Sequence, residues 1–226
     1  GGFSRYSTDE NWHVPHFEKM LYDNGQLMSL YSNGFKVSKN SLYKNVVYNI
    51  HEFINSEMKD ANGGFYSSLD ADSKSDNGSY VEGAYYTWDE SELRNLINED
   101  FELFSEYYNI NEYGYWAEEN KYILIKKISD DDFILNNKIS KADFNKKKNK
   151  WIVALKEAKK NKKKPNLDYK IITSWNGLMI SGYVEAFKAF NDEIFKNEAI
   201  EAGEFLYSKL IKKDGGLFHN HIKGKS

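Results

Sequence analysis

The sequence predicts a mainly α chain built from helical hairpins, with small β insertions. Three observations predict it. Apolar residues recur at helical spacing in segments that come in pairs, a glycine-aromatic turn returns between the pairs, and two short stretches alternate like strands.

The elements follow in order. Met20, Leu21, Leu27, Met28 and Tyr31 share one helical face over about 17–32, and Asn33-Gly34 reads as the stop. Leu42, Val46, Ile50, Phe53, Ile54 and Met58 predict a helix over 41–59. Thr87 and Glu90 have the spacing of a capping box ahead of Leu93, Leu96 and Ile97, and a short helix follows over 101–108. Phe144, Lys148, Trp151, Leu155 and Ala158 mark another. Leu178, Met179, Tyr183, Ala186, Phe187 and Phe190 mark the next, and residues 194–211 supply a last one. Between them stand GGFSRY at Gly1, GGFYSS at Gly63, YGYW at Tyr113 and GGLFHN at Gly215. Their second glycines or equivalents fall at 2, 64, 114 and 216, with gaps of 62, 50 and 102. A spacing near fifty residues suits a helical hairpin with its loops, stacked because one pair cannot bury its own apolar face. Such periodicity allows an open solenoid or a closed ring. The strand-like patches at 79–88 and 121–128 fit the rim of a ring better than a plain solenoid.

Composition narrows the function classes. With 226 residues, 40% hydrophobic and a net charge of −3, the chain can build a full core and has no bulk charge for nucleic acid. Residues 141–164 hold eleven lysines, but Phe144, Trp151, Leu155 and Ala158 run down one face there, so the lysines read as the wet side of a helix. No apolar run is long enough to span a membrane, and the first residues do not read as a signal peptide. Without cysteine the segment has no disulfide, thiolate zinc site or cysteine nucleophile. Aromatic residues, at 16%, leave rings for stacking on ligands beyond those the core needs.

Three stretches carry candidate chemistry. In NWHVPHFEKMLYDNGQ, His13 and His16 flank Pro15 ahead of a helix. They are a catalytic pair, half a metal site, or structural groups that bond loop backbone and cap the helix. The metal reading is the poorest, because His-x-x-His lacks the i, i+4 spacing and no third ligand is evident; His219-x-His221 is another possible partner pair. In DADSKSDNGSYVEG, Asp70, Asp72, Asp76 and Glu82 crowd a Gly- and Ser-rich loop. It is not an EF-hand, since Lys74, Ser75 and Val81 stand where a ligand, the glycine and the last carboxylate belong. Paired acids there would suit glycoside hydrolysis; a solvated loop is the alternative, and Asp76 is read as surface. In LDYKIITSWNGLMI, Trp175 and Asn176 open a helix of small and apolar residues. Trp175 has a face for a pyranose, and Asn176 either bonds hydroxyls or caps the helix, in competition with Ser174. Asp168 and Lys170 are placed to form a local ion pair.

GGFSRYSTDENWHVPHFEKMLYDNGQL, GGFYSSLDADS with VEGAYYTW, and LDYKIITSWNGLMI together resemble, in the same order, signature blocks of the spermatogenesis-associated protein 20-like family. The resemblance implies part of an (α/α)6 toroid of the six-hairpin glycosidase type, akin to N-acylglucosamine 2-epimerases and glycoside hydrolases. In the family such a toroid is joined to a thioredoxin-like domain. Residues 1–226 are then expected to be an incomplete toroid, with that domain and the final hairpins outside the segment. The implied activity is glycosidase-like or sugar-epimerase-like proton transfer in a central funnel, on a sugar or glycoside. The alternative is a non-catalytic toroid that binds a ligand or presents the thioredoxin-like domain to partners. Expected catalytic residues are His13, His16, Asp70, Asp72 and Glu82. Expected substrate-binding residues are Arg5, Trp12, Glu18, Asp23, Trp175 and Asn176, with the histidines, acids and Trp175 converging on one funnel. No metal, cofactor, nucleic acid or membrane is expected, and the expected compartment is cytoplasmic.

Overall fold

The computed structural model describes residues 1–75 and 78–226, so Asp76 lies outside the described residues. In chain order the first elements are β1 (Lys19–Met20), α1 (Leu21–Ser38), α2 (Ser41–Phe53), β2 (Ser68–Leu69), β3 (Asp72–Lys74) and β4 (Tyr80–Glu82). Then come α3 (Glu90–Ile97), α4 (Phe101–Tyr108), β5 (Tyr115–Trp116), β6 (Lys121–Tyr122), α5 (Asp130–Asn136) and α6 (Lys141–Lys159). The last are β7 (Leu167–Asp168), β8 (Ile171–Ile172), α7 (Thr173–Phe190), α8 (Glu193–Leu210) and β9 (Asn220–His221). The fold is mainly α, with helical hairpins and short β pieces, as the sequence predicts. The chain divides into two compact units. One comprises Gly1–Arg5, Glu18–Ala71 and Asn166–Ser226, the other Tyr6–Phe17 and Asp72–Pro165.

The first unit contains a repeat that keeps its register without a gap. Leu21 and Thr173 open 18-residue helices 152 positions apart, and each helix ends on a left-handed residue, Lys39 or Asn191, whose N–H bonds the carbonyl of Phe35 or Phe187. Asn40 and Asp192 then cap α2 and α8 through their side-chain oxygens. After α2, continued by a π-helical turn over Ile54–Met58, the Tyr66 N–H bonds the Met58 carbonyl; after α8, Phe218 bonds Leu210 in the same way. At the hairpin entrances β1 pairs with β2 and β8 with β9, all antiparallel, and β7 adds a third strand beside β2.

Two details hold the repeat together. The side-chain oxygen of Asn24 accepts from the Phe3 N–H at 2.8 Å, while its amide donates to the carbonyls of Met20 and Phe3. Asn176 does the same with the N–H and carbonyl of Phe65 and the carbonyl of Ile172. Each asparagine thus fastens a Gly-Gly-Phe turn to the first turn of α1 or α7 and leaves no buried amide group of its own unpaired. Between α1 and α7 the backbones approach closely. A Cβ on Gly25 would lie 2.9 Å from backbone atoms of Leu178 and Met179, and one on Gly182 would lie 2.7 Å from the Gly25 carbonyl. Leu21, Met28, Ile50, Ile54, Met179 and Tyr183 close the core around this crossing; burying such a side chain is worth roughly 1.5–3 kcal/mol.

The second unit has its own core, built from Trp88, Leu93, Phe101, Phe104, Phe133, Phe144 and Trp151. The α6 lysines lie on the wet face, and many are neutralised: Lys141, Lys147, Lys148 and Lys150 pair with Asp131, Asp100, Asp130 and Glu99. No helix among the described residues is long and apolar enough to cross a membrane.

Several expectations need correction. α1 begins four residues later than expected and runs through Asn33-Gly34, because Gly34 faces the Tyr43 ring, where a Cβ would meet it at 3.1 Å. Thr87 does not cap α3. Its hydroxyl donates to the Gly83 carbonyl, and Asp89 precedes the helix instead. YGYW is not a member of the repeat; it forms the β5–β6 hairpin, with Gly114 pressed against the Asn109 carbonyl. The two strand-like patches shrink to β4 and β6, and α5 was not expected.

Candidate functional site

In the second unit the opening histidines sit on a loop organised by Asp9. Its carboxylate accepts from the N–H groups of Asn11 at 2.8 Å, His13 at 3.1 Å and Val14 at 2.6 Å. The Val14 bond contributes most to holding the Asp9 carboxyl below its usual range. Asp9 thereby holds the turn in which Trp12 adopts a left-handed φ of 56° and stands 80% exposed. A bulky residue in that region is strained, and such strain collects at functional loops.

His16 follows Pro15, which bridges Ser7, and its N–H bonds the Tyr6 carbonyl. That pairing stacks the Tyr6 ring on the imidazole with centroids 4.9 Å apart. The His16 Nδ1 lies 2.8 Å from Oε1 of Glu82, and the same oxygen accepts the Phe17 N–H at 3.3 Å. An ionised carboxylate only accepts, so Nδ1 carries the proton in this contact. Both side chains keep solvent contact, at 23% and 39%. In the β3–β4 hairpin Asp72 stands directly opposite Glu82, which puts both carboxylates on one face. Glu82 also lines a cleft of about 610 Å³ with Tyr85, Asp89, Lys121 and Lys162. His13 differs from His16: its Nε2 is buried and has no hydrogen-bond partner among the described residues. No group of three possible metal ligands occurs among those residues.

The remaining expected residues belong to the first unit. Arg5 donates to Glu18 at 2.9 Å, and this bond chiefly raises the guanidinium pKa. Burial raises the pKa of Asp23, opposed by the Arg5 charge and reinforced by that of Glu18. Trp175 meets the Tyr22 ring edge-on at 4.8 Å. The Asp70 N–H bonds the Asn166 carbonyl, and Asp168 pairs with Lys170 at 2.8 Å. Asn176 is not a substrate ligand. It has no exposed surface, and both ends of its amide are committed to backbone. It does not cap α7 either, since Ile172 occupies that position. Asn24 is its structural equivalent, and the shared Asn-Gly dipeptide was the signal for it. Tyr6 and Tyr22, which touch His16 and Trp175, were also missed. Their partners lie ten and 153 positions away, a proximity that no local spacing reveals.

No family model matches the chain. Among curated proteins, an uncharacterized protein of Caenorhabditis elegans is 33% identical over 235 residues, which is 96% of this chain and 32% of that protein. Human spermatogenesis-associated protein 20 is 33% identical over 234 residues, 95% of this chain and 30% of its own length, and the mouse protein is 31% identical over the same span. The chain therefore spans about a third of the length of these relatives. Among solved structures, a D-mannose isomerase matches at 13% identity with a TM-score of 0.31, covering 98% of this chain and 49% of that one. A sugar epimerase from a ruminal bacterium matches at 13% and 0.28, covering 100% and 85%. Such scores bear no argument about fold or activity. Along nearly its whole length the chain is thus similar in sequence to the spermatogenesis-associated protein 20 proteins of human and mouse.

Proposed function

We propose that the chain is part of a carbohydrate-active toroid, glycosidase-like or sugar-epimerase-like, in which His16 moves a proton to or from a bound sugar. The observation that carries this reading is the His16–Glu82 pair, with its 2.8 Å contact and its solvent access. A carboxylate on Nδ1 orients the ring and stabilises its protonated form, which is what an imidazole that moves a proton requires. Asp72, on the same face of the hairpin, is the candidate second acid. Trp12 and Trp175 offer ring faces, Arg5 and Glu18 offer hydrogen bonds, and Asp23, whose neutral form burial favours, is a candidate proton donor. His13 and Asp70 are assigned supporting places in the same chemistry. In the longer protein the region is joined to a thioredoxin-like domain, and the compartment is the cytoplasm.

The test is a sugar-panel screen on the full-length protein, followed by His16→Gln and Glu82→Gln. General acid-base catalysis is commonly worth about 10²–10⁴-fold, so each variant should lose turnover on that scale while melting close to wild type. Unchanged turnover with earlier melting would assign the pair to the scaffold. That result would favour a non-catalytic region that presents ligand or partner surfaces, a reading the 80% exposure of Trp12 supports.

A further inference from the structure

The repeat in the first unit breaks its own symmetry at one place. In the first copy Lys19 of β1 runs its ammonium to the carbonyls of Gly1 and Gly2 and crosses the Phe53 ring, so its side chain occupies the space beside the turn. In the second copy the equivalent residues are Ile171 and Phe205, 152 positions on. Ile171 is apolar and packs against the turn at Gly64 without the ammonium that Lys19 carries. Beside it is a cavity of about 450 Å³, within the range of small-molecule sites.

The walls of this cavity are specific. Tyr66 and Tyr169 meet edge-to-face at 5.2 Å, and Phe205 and His221 at 5.6 Å. Tyr169 is 51% exposed, an open ring at the rim. The walls therefore present ring faces and edges but no parallel pair of slabs, which suits the CH-lined face of a saturated ring better than a planar aromatic ligand. Asp60 is already engaged: one oxygen accepts from the backbone and amide of Asn62, and the other accepts the Tyr66 hydroxyl at 2.6 Å. One lone pair on that second oxygen is left for a ligand hydroxyl. Lys209 and Lys223 also line the cavity and form no ion pair among the described residues. Uncommitted cationic donors beside ring walls call for an anion on a ring, and two ammonium groups match the charge of a phosphate monoester.

We propose that this cavity binds a phosphorylated monosaccharide, with the sugar face on Tyr66, Tyr169 and Phe205 and the phosphate between Lys209 and Lys223. The cavity shares no lining residue with the His16–Glu82 pair, and the proposal does not depend on the role of that pair.

Calorimetric titration of the chain with glucose 6-phosphate tests the proposal, with glucose and inorganic phosphate as separate arms. Saturable binding of glucose 6-phosphate, tighter than either part alone and weakened by salt, is the expected result. The double variant Lys209→Ala/Lys223→Ala should weaken it by about tenfold or more, because charge-assisted bonds are lost. Tyr169→Ala, an exposed truncation that should leave the fold intact, should weaken glucose 6-phosphate and glucose alike. Lys188→Ala, at an exposed lysine outside the cavity, should leave binding unchanged. Absence of saturable binding at millimolar ligand, glucose binding as tightly as its phosphate, or indifference to both the lysine and the tyrosine variants would each overturn the proposal. So would an equal loss of binding in a folded Lys188→Ala protein.

Discussion

His51 and Asp23 show how single groups in the first unit trade stability for placement. The His51 ring lies edge-on to Tyr183 and Phe195, at 5.8 and 5.4 Å, and burial lowers its pKa although Glu198 opposes the shift. A base with a depressed folded pKa gives stability that is complete above its unfolded value, near 6.5, and that falls as pH drops through the window below it. Urea midpoints should therefore decline between about pH 6.5 and 5.5, and His51→Gln should flatten that decline. An identical slope in both proteins would show that the imidazole is not held neutral. Asp23 runs the other way, since burial raises its pKa and the ionised form is the costly one. Wild type should lose stability as pH rises above about 3.8, so Asp23→Asn should melt later than wild type at pH 7 and converge with it in acid. If ligand binding weakens in the same variant, the carboxyl is kept for function at the expense of stability. Neither shift was legible in the sequence. Asp23 reads as a first-turn helix acid and His51 as one more position in an amphipathic helix; the Tyr183 and Phe195 rings that flank His51 lie more than a hundred positions away.

At the scale of elements, the sequence disclosed what local periodicity can carry. Ile50, Phe53, Ile54 and Met58 of the expected face are buried on α2 and its π-helical turn, whereas Leu42 is exposed and Val47 is buried more fully than Val46; Phe144 with Trp151 fixes α6. α5 escaped because only Phe133 of its seven residues is buried, too little for a pattern. The end of α1 was misread because Asn-Gly usually stops a helix; here a glycine is required by the ring of a neighbouring helix. The spacing of Gly-Gly-aromatic turns was partly legible. The true register joins 63–65 to 215–217 at an offset of 152, and the 50-residue gap came from an unrelated hairpin. What the two copies share is chiefly what their backbone bonds demand, notably Asn24 with Asn176, Gly63 with Gly215 and Gly64 with Gly216. Asn176→Ala would strand the Phe65 N–H and carbonyl in a buried site, and Asn24→Ala would do the same to Phe3. Each should cost about 1–3 kcal/mol in chemical denaturation. Asn176→Asp, which keeps the acceptor and loses the donor, should restore part of the loss only at a pH low enough to protonate it. Equal stability of Asn176→Ala and wild type would mean that the turn is held by packing alone.

For the whole molecule, the consequential feature is that two cores are made by different parts of the chain. Leu21, Met28, Ile50, Met179 and Tyr183 belong to one hydrophobic cluster, and Trp88, Phe104, Phe144 and Trp151 to another. Composition foretold a core of adequate size. It did not foretell two, because the second unit interrupts the repeat between β2 and β7 and nothing in hydrophobic content marks the interruption. The expected residues divide in the same way: His13, His16, Asp72 and Glu82 depend on the folding of the second unit, and Arg5, Asp23, Asp70 and Trp175 on that of the first. Trp151 is fully buried, and its indole donates to Asp100. Trp151→Ala removes a large aromatic side chain from the second core, a change that commonly costs about 3–5 kcal/mol. Stability is distributed in local cooperative units, so hydrogen exchange followed by mass spectrometry should show faster exchange across α3, α4 and α6 in this variant. Amides of α1 and α7, whose bonds are closed by the first core, should keep most of their protection. Uniform acceleration along the chain would mean that the two cores unfold as one cooperative body, and the His16–Glu82 contact would then owe its geometry to the entire chain.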